Sequence, residues 1–146
     1  MIKVGIIGST GYAGGELARL LLQRDDIEIK WYGSRSYIDQ KYASIYRNMF
    51  RIVDDACMDD NMKELADQVD VVFTATPQGL CASLMDEDVL SKVKVIDLSA
   101  DFRIKDVSVY EKWYKLTHAS PRFIGEAVYG LPEINREKVK RARLIA

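Results

Sequence analysis

Gly8-Ser9-Thr10-Gly11-Tyr12-Ala13-Gly14-Gly15 makes the clearest chemical demand in the chain. A pyrophosphate needs a tight turn, close approach of bare backbone and unpaired N–H groups at a helix start. Glycines supply the first two, and the start of a helix supplies the third. The spacing is G-x-x-G-x-x-G, not the commoner G-x-G-x-x-G, and no Lys-Ser/Thr pair follows, which disfavours a triphosphate loop. Residues Gly8, Ser9, Thr10, Gly11, Tyr12, Ala13 and Gly14 are therefore expected to cradle a dinucleotide. The bland alternative is a glycine-rich turn with no ligand.

About twenty residues further on, Tyr32 leads into Gly33-Ser34-Arg35-Ser36. An NAD-binding domain usually places Asp or Glu here to accept from the ribose 2′-hydroxyl. This chain has an arginine between two hydroxyls, a set that suits a 2′-phosphate through charge-assisted hydrogen bonds. Ser34, Arg35 and Ser36 thus predict NADP(H) in preference to NAD(H), against the plainer reading of a solvated loop arginine.

Two more segments, Thr74-Ala-Thr-Pro-Gln-Gly79 and Asp97-Leu-Ser-Ala-Asp-Phe-Arg103, follow expected strands and so belong at the edge where open α/β sheets bind ligands. Thr76 and Pro77 are expected to border the cofactor. Ser99, Asp101 and Arg103 are expected to face the nicotinamide or an anionic substrate, an internal Asp–Arg pair being the alternative. Other features read as structural. The acids Asp54, Asp55, Asp59 and Asp60 lack the spacing of a calcium loop. The basic run Lys138, Lys140, Arg141 and Arg143 reads as a wet helix face, not a nucleic-acid site. The single histidine, His118, reads as structural and makes a histidine-based zinc site untenable. Acidic neighbours blunt Cys57, and apolar neighbours suggest burial of Cys81, so neither reads as a nucleophile.

The elements that must position these residues follow from periodicity. Apolar β-branched runs at residues 3–7, 27–32, 69–75 and 93–97 read as buried strands, with a further short strand near 51–53. Helical spacing appears over residues 12–24, with Leu17, Leu20 and Leu21 as its apolar stripe, and over 42–50, 62–68 and 82–90. Asn135 is expected to cap a helix from 136 to about 140 or 141. Residues 143–146 read as the opening of another buried strand, so Ala146 reads as a cut end. Alternating strands and helices predict one Rossmann-like domain over 1–146, an open, doubly wound, mostly parallel α/β sheet.

Composition agrees. The chain has 146 residues, 48% hydrophobic and 29% charged, enough for one core and too ordered a mixture for a disordered or collagen-like chain. A net charge of −1 provides no overall field toward nucleic acid or anionic lipid. Two cysteines cannot make a disulfide scaffold, and no apolar run is long enough to span a bilayer. A soluble cytoplasmic protein is the expectation, with a small-molecule substrate and neither a nucleic-acid nor a membrane partner.

Gly8-Ser-Thr-Gly-Tyr-Ala-Gly-Gly-Glu-Leu17, Val95-Ile-Asp-Leu-Ser-Ala-Asp-Phe-Arg103 and Ala127-Val-Tyr-Gly-Leu-Pro-Glu133 together resemble the N-acetyl-γ-glutamyl-phosphate reductases, within the wider aspartate-semialdehyde dehydrogenase group. The likeness runs from Met1 to Ala146. It implies an NADPH-dependent step of arginine biosynthesis that converts N-acetyl-γ-glutamyl phosphate to N-acetylglutamate 5-semialdehyde and phosphate through a cysteine thioester. It also implies that the nucleophilic cysteine, the base histidine and a second, homo-oligomerising domain lie beyond Ala146. No catalytic residue is therefore expected within 1–146. Gln78 departs from the histidine common at that place. A sister reductase acting on an aminoadipyl or aspartyl phosphate, and a stand-alone NADP-binding module, remain the alternatives.

Overall fold

Strands buried on both faces need helices above and below, and the chain supplies them in alternation. The computed structural model describes residues 1–146. Six strands, β1 (Ile2–Ile7), β2 (Ile27–Gly33), β3 (Cys57–Met58), β4 (Val71–Thr74), β5 (Lys94–Asp97) and β6 (Leu144–Ile145), form one sheet in the order β3-β2-β1-β4-β5-β6. Every pairing is parallel. The strand order reverses between β1 and β4, which opens a crevice at their carboxyl ends, where ligands bind in such sheets.

Side-chain alternation sends successive residues to opposite faces. Val4 and Ile6 join Tyr32, Tyr42 and Ala18 in one core, while Ile7 joins Trp31, Leu65, Val72, Val95 and Phe102 in the other. Helix α1 (Tyr12–Leu21) packs on the first face through Gly14, Ala18 and Leu21. The expected stripe is partly wrong, because Leu20 is half exposed. Gly14 and Ala18 let α1 approach the sheet closely, Leu17 and Leu21 complete the contact, and Leu20 turns toward solvent.

Several expected elements differ. The helix expected over 82–90 is two, α4 (Leu80–Leu84) and α5 (Glu87–Lys92), because Asp86 accepts from the Val89 N–H and starts a new N-terminus. No strand forms at 51–53. That stretch is a turn with Arg51 at φ +63°, and the short edge strand is β3 instead. The expected helix over 42–50 is α2 (Tyr42–Ile45) followed by a 3-10 turn, Arg47–Met49. Helix α3 (Met62–Ala66) stands as expected, and α6 (Val107–Tyr114), capped by Asp106, was missed for want of a clear apolar stripe. Helix α7 (Pro132–Arg141) begins before Asn135, whose side chain donates to the Tyr129 carbonyl and caps nothing. Residue 144 onward does pair with β5, so the expected last strand is present. No helix is long and apolar enough to cross a membrane.

Candidate dinucleotide site

The glycine turn sits at the reversal of strand order, between β1 and α1. Gly8 has φ +81°, and a Cβ there would lie 2.3 Å from the Ala75 carbonyl oxygen. A Cβ on Gly14 would lie 2.1 Å from the Gly8 carbonyl oxygen. Backbone crowding therefore demands glycine at both positions. Gly11 is different. Its backbone is ordinary (φ −78°, ψ 169°), and a Cβ would meet only the Gly8 oxygen, at 3.5 Å. What Gly11 leaves open is the cleft side of the turn.

The N-cap of α1 has no side-chain partner, and the N–H groups of Thr10, Tyr12, Ala13 and Gly14 find no acceptor in the chain. Four free donors at the start of a ten-residue helix fit an anion, helped by the helix dipole. The cleft beside them has a volume of about 220 Å³ and is lined by Gly8, Thr10, Gly11, Ser34, Arg35, Ser36, Asp60, Thr76 and Pro77, among others. The Thr76 hydroxyl is buried there with no hydrogen-bond partner, an orphaned polar atom that a polar ligand would satisfy. Free donors, an open Gly11 and an unpaired hydroxyl together fit a dinucleotide. A larger open groove, about 840 Å³ over Lys41 to Asp54, shares no residue with this cleft.

The expected residues divide by where their side chains go. Ser9 is fully buried and donates to the Gly33 carbonyl at 3.0 Å, so its hydroxyl is spent holding β2 to the turn. Thr10 and Ser34 share a hydrogen bond of 2.8 Å across the cleft wall. Tyr12 is 99% exposed and Ala13 is exposed. Arg35 lies at the cleft rim, its Nε paired with the Asp60 carboxylate. Asp60 belongs to an acidic stretch that reads in the sequence as a solvated loop. The structure brings it into the cleft because β3 pairs beside β2 and its following loop ends next to Arg35. A two-residue strand carries no periodicity that would have announced this.

The Asp97–Arg103 loop corrects another expectation. Ser99 and Asp101 are buried and their polar atoms are consumed internally. Asp97 accepts from Thr74 (2.8 Å) and Ser99 (2.7 Å), while Asp101 accepts from the N–H groups of Gly79 and Ala82 and from the Tyr110 hydroxyl. Asp101 thus caps α4 and aims the loop after β4. Burial raises the Asp97 carboxyl above its ordinary range, opposed by the bonds from Ser99 and Thr74. Of the three expected residues only Arg103 lines a surface hollow, of about 260 Å³, beside Asp97, Leu98, Tyr129, Gly130 and Ala146. Its guanidinium donates to the Ser99 carbonyl and lies 5.9 Å from the Tyr129 ring centre.

Both thiols are buried, and burial pushes each pKa up, that of Cys81 well above the usual thiol range with Asp97 adding to the effect. His118 is buried between Phe102 and Tyr110 and bonds the Asp101 carbonyl through Nε2. No group of acids, cysteines and histidine suits a metal.

Residues 3–142 match the model of the semialdehyde dehydrogenase NAD-binding domain. The chain belongs to that family. It is 69% identical over 146 residues to N-acetyl-gamma-glutamyl-phosphate reductase of Lachnoclostridium phytofermentans and 70% identical to that of Lachnospira eligens. Each match takes in the whole of this chain and 42% of the relative, so the chain spans less than half the length of these relatives. Among solved structures, aspartate semialdehyde dehydrogenase from Francisella tularensis superposes with a TM-score of 0.62 at 15% identity, over 99% of this chain and 35% of that one. The Candida albicans enzyme, solved with NADP, gives 0.57 at 19% identity over 73% of this chain and 32% of that one. These likenesses establish the fold, and the family establishes a nicotinamide dinucleotide as the cofactor class.

Proposed function

We propose that this chain is the NADP(H)-binding part of an N-acetyl-γ-glutamyl-phosphate reductase. The whole-chain identity of 69–70% to relatives of that name carries the reading. The cleft supports its cofactor half. The free N–H groups of Thr10, Tyr12, Ala13 and Gly14 would hold the pyrophosphate, and the Thr76 hydroxyl would donate to the cofactor beyond it. Arg35, with Ser34 and Ser36, would take the 2′-phosphate. Its Nε is engaged by Asp60, which leaves both terminal nitrogens for the ligand.

When bound, the reduced nicotinamide supplies hydride to the acyl carbon. This chain's part is to bind the dinucleotide and orient it across the carboxyl ends of β1 and β4, while Asp101 holds the loop after β4 in place. Arg103, in the hollow at the carboxyl end of β5, would bind an anionic group of the acyl phosphate. The nucleophile is assigned to residues past Ala146, since neither Cys57 nor Cys81 is exposed or activated. The whole protein would associate through its second domain.

Asp60 favours a second reading of the ribose corner, because a carboxylate there can accept from the 2′-hydroxyl of NAD(H). Titrating the chain with NADPH and NADH decides between the two. A phosphate-dependent assay with N-acetylglutamate 5-semialdehyde and NADP, run on the chain extended past Ala146 and on residues 1–146, tests the reductase. Turnover by the extended protein alone supports the reading. Turnover by residues 1–146 places the nucleophile in the wrong part.

A further inference from the structure

We infer that Tyr46, assisted by Tyr42, is a positioning residue that turns the N–H groups of the glycine loop toward the bound dinucleotide. The two tyrosines lie four residues apart, at the start of α2 and just past its end. The Tyr42 hydroxyl donates to the Ser9 carbonyl at 2.9 Å. The Tyr46 hydroxyl lies 2.9 Å from the Gly11 carbonyl oxygen and 3.1 Å from that of Thr10. Three successive carbonyls are thus drawn to one side. In a trans peptide the C=O of one residue points opposite to the N–H of the next. Drawing back the Ser9 and Gly11 carbonyls therefore sends the Thr10 and Tyr12 N–H groups the other way, and both are among the free donors of the cleft.

Two more observations support this. A Cβ on Gly15 would lie 2.5 Å from Tyr46 Cζ and 2.6 Å from its hydroxyl oxygen, so the second glycine of the Gly14-Gly15 pair makes room for this ring. The rings of Tyr32, Tyr42 and Tyr46 also pack in series at tilts of 37° and 38°, with centres 4.5 and 5.4 Å apart, which ties Tyr42 and Tyr46 to β2. Residues 42–46 are a buttress for the turn.

The inference rests on the glycine loop holding a pyrophosphate, and the test separates the two. Tyr46→Phe keeps the ring and removes the hydroxyl. NADPH and NADH binding would be followed by fluorescence, adenosine 2′-monophosphate binding by calorimetry, and folding by thermal melting. Tyr46→Phe is expected to weaken both dinucleotides by the same factor, about five- to tenfold for one misdirected donor set. The NADPH-to-NADH ratio and the affinity for adenosine 2′-monophosphate, which lacks a pyrophosphate, should stay at wild-type values. Tyr42→Phe should give the same pattern. Wild-type dinucleotide affinity in Tyr46→Phe overturns the inference. So does a loss shared in full by adenosine 2′-monophosphate and matched by earlier melting, which marks a purely structural role. If the unaltered chain binds neither dinucleotide, the loop's reading as a pyrophosphate site falls first and the inference falls with it.

Discussion

Arg35→Ala is the sharpest perturbation of the proposed cofactor preference. Arg35 is 63% exposed and its Nε is held by Asp60, so only its terminal nitrogens remain for a 2′-phosphate. A charge-assisted hydrogen bond contributes about 1.5–3 kcal/mol, and exposure places this one at the lower end. Losing about 1.5–2 kcal/mol corresponds to roughly ten- to thirtyfold in NADPH affinity. The substitution also leaves the Asp60 carboxylate unpaired beside a phosphate of charge about −1.5 to −2. At about 6 Å in a water-like medium that repulsion adds about 1 kcal/mol before salt screening. The total loss for NADPH is then about fifty- to one-hundred-and-fiftyfold, while NADH should change by less than about threefold. Adding Asp60→Asn to Arg35→Ala should recover about fivefold, since the repulsion goes with the charge. Fluorescence titration of wild type and both variants with NADPH and NADH, at one fixed ionic strength, reads these differences. Equal loss for NADPH and NADH in Arg35→Ala would refute the assignment, because Arg35 would then not be reading the 2′-phosphate.

The remaining predictions concern the turn, a helix cap and the thiols. Gly14→Ala forces a Cβ against the Gly8 carbonyl and should cost about 1–3 kcal/mol of stability in urea unfolding, with loss of dinucleotide binding. Gly11→Val, where the backbone is ordinary, should melt near the wild-type temperature yet lose dinucleotide affinity; retained affinity would make the turn merely structural. Asp86→Ala should lower stability by about 1 kcal/mol at pH 7 through loss of the α5 cap. Donation from the Val89 N–H, with Lys63 helping, holds the native Asp86 carboxyl below its ordinary range. Its ionised contribution is therefore present above that ordinary range and disappears as pH falls through the lowered native value, so the difference from wild type should shrink by pH 3. Neither Cys57 nor Cys81 should react with a thiol reagent until the chain is unfolded, and fast labelling of native Cys81 would restore it as a nucleophile.

Much of this was legible in the sequence because it is local. The glycine run between an apolar strand and a helix, the β-branched runs that must be covered on both faces, and Arg35 between two serines each state their needs within a few residues. Gly8 and Gly14 show why the turn must be glycine, and β6 paired where residues 143–146 read as a strand. Ser99 and Asp101 looked equally chemical on paper, since Asp, Ser and Arg after a strand suit either a ligand or a loop. Burial turned two of them into internal bonds and left only Arg103 outside.

The parts that escaped the sequence depend on contacts between distant segments. Asp60 reaches Arg35 only because β3 lies beside β2, and Tyr42 and Tyr46 reach the glycine turn across 33 to 36 residues. Short elements such as β3 and α2 have too few residues to show a period, and a tyrosine on such a piece carries no sign of which carbonyl it will find. The kind of sheet, the place of the turn and the class of ligand are written into the order of the residues, since chain connectivity and hydrophobic alternation act locally. Which polar groups stay free for that ligand was decided by tertiary packing, because a donor or acceptor is available only when no distant partner has already taken it.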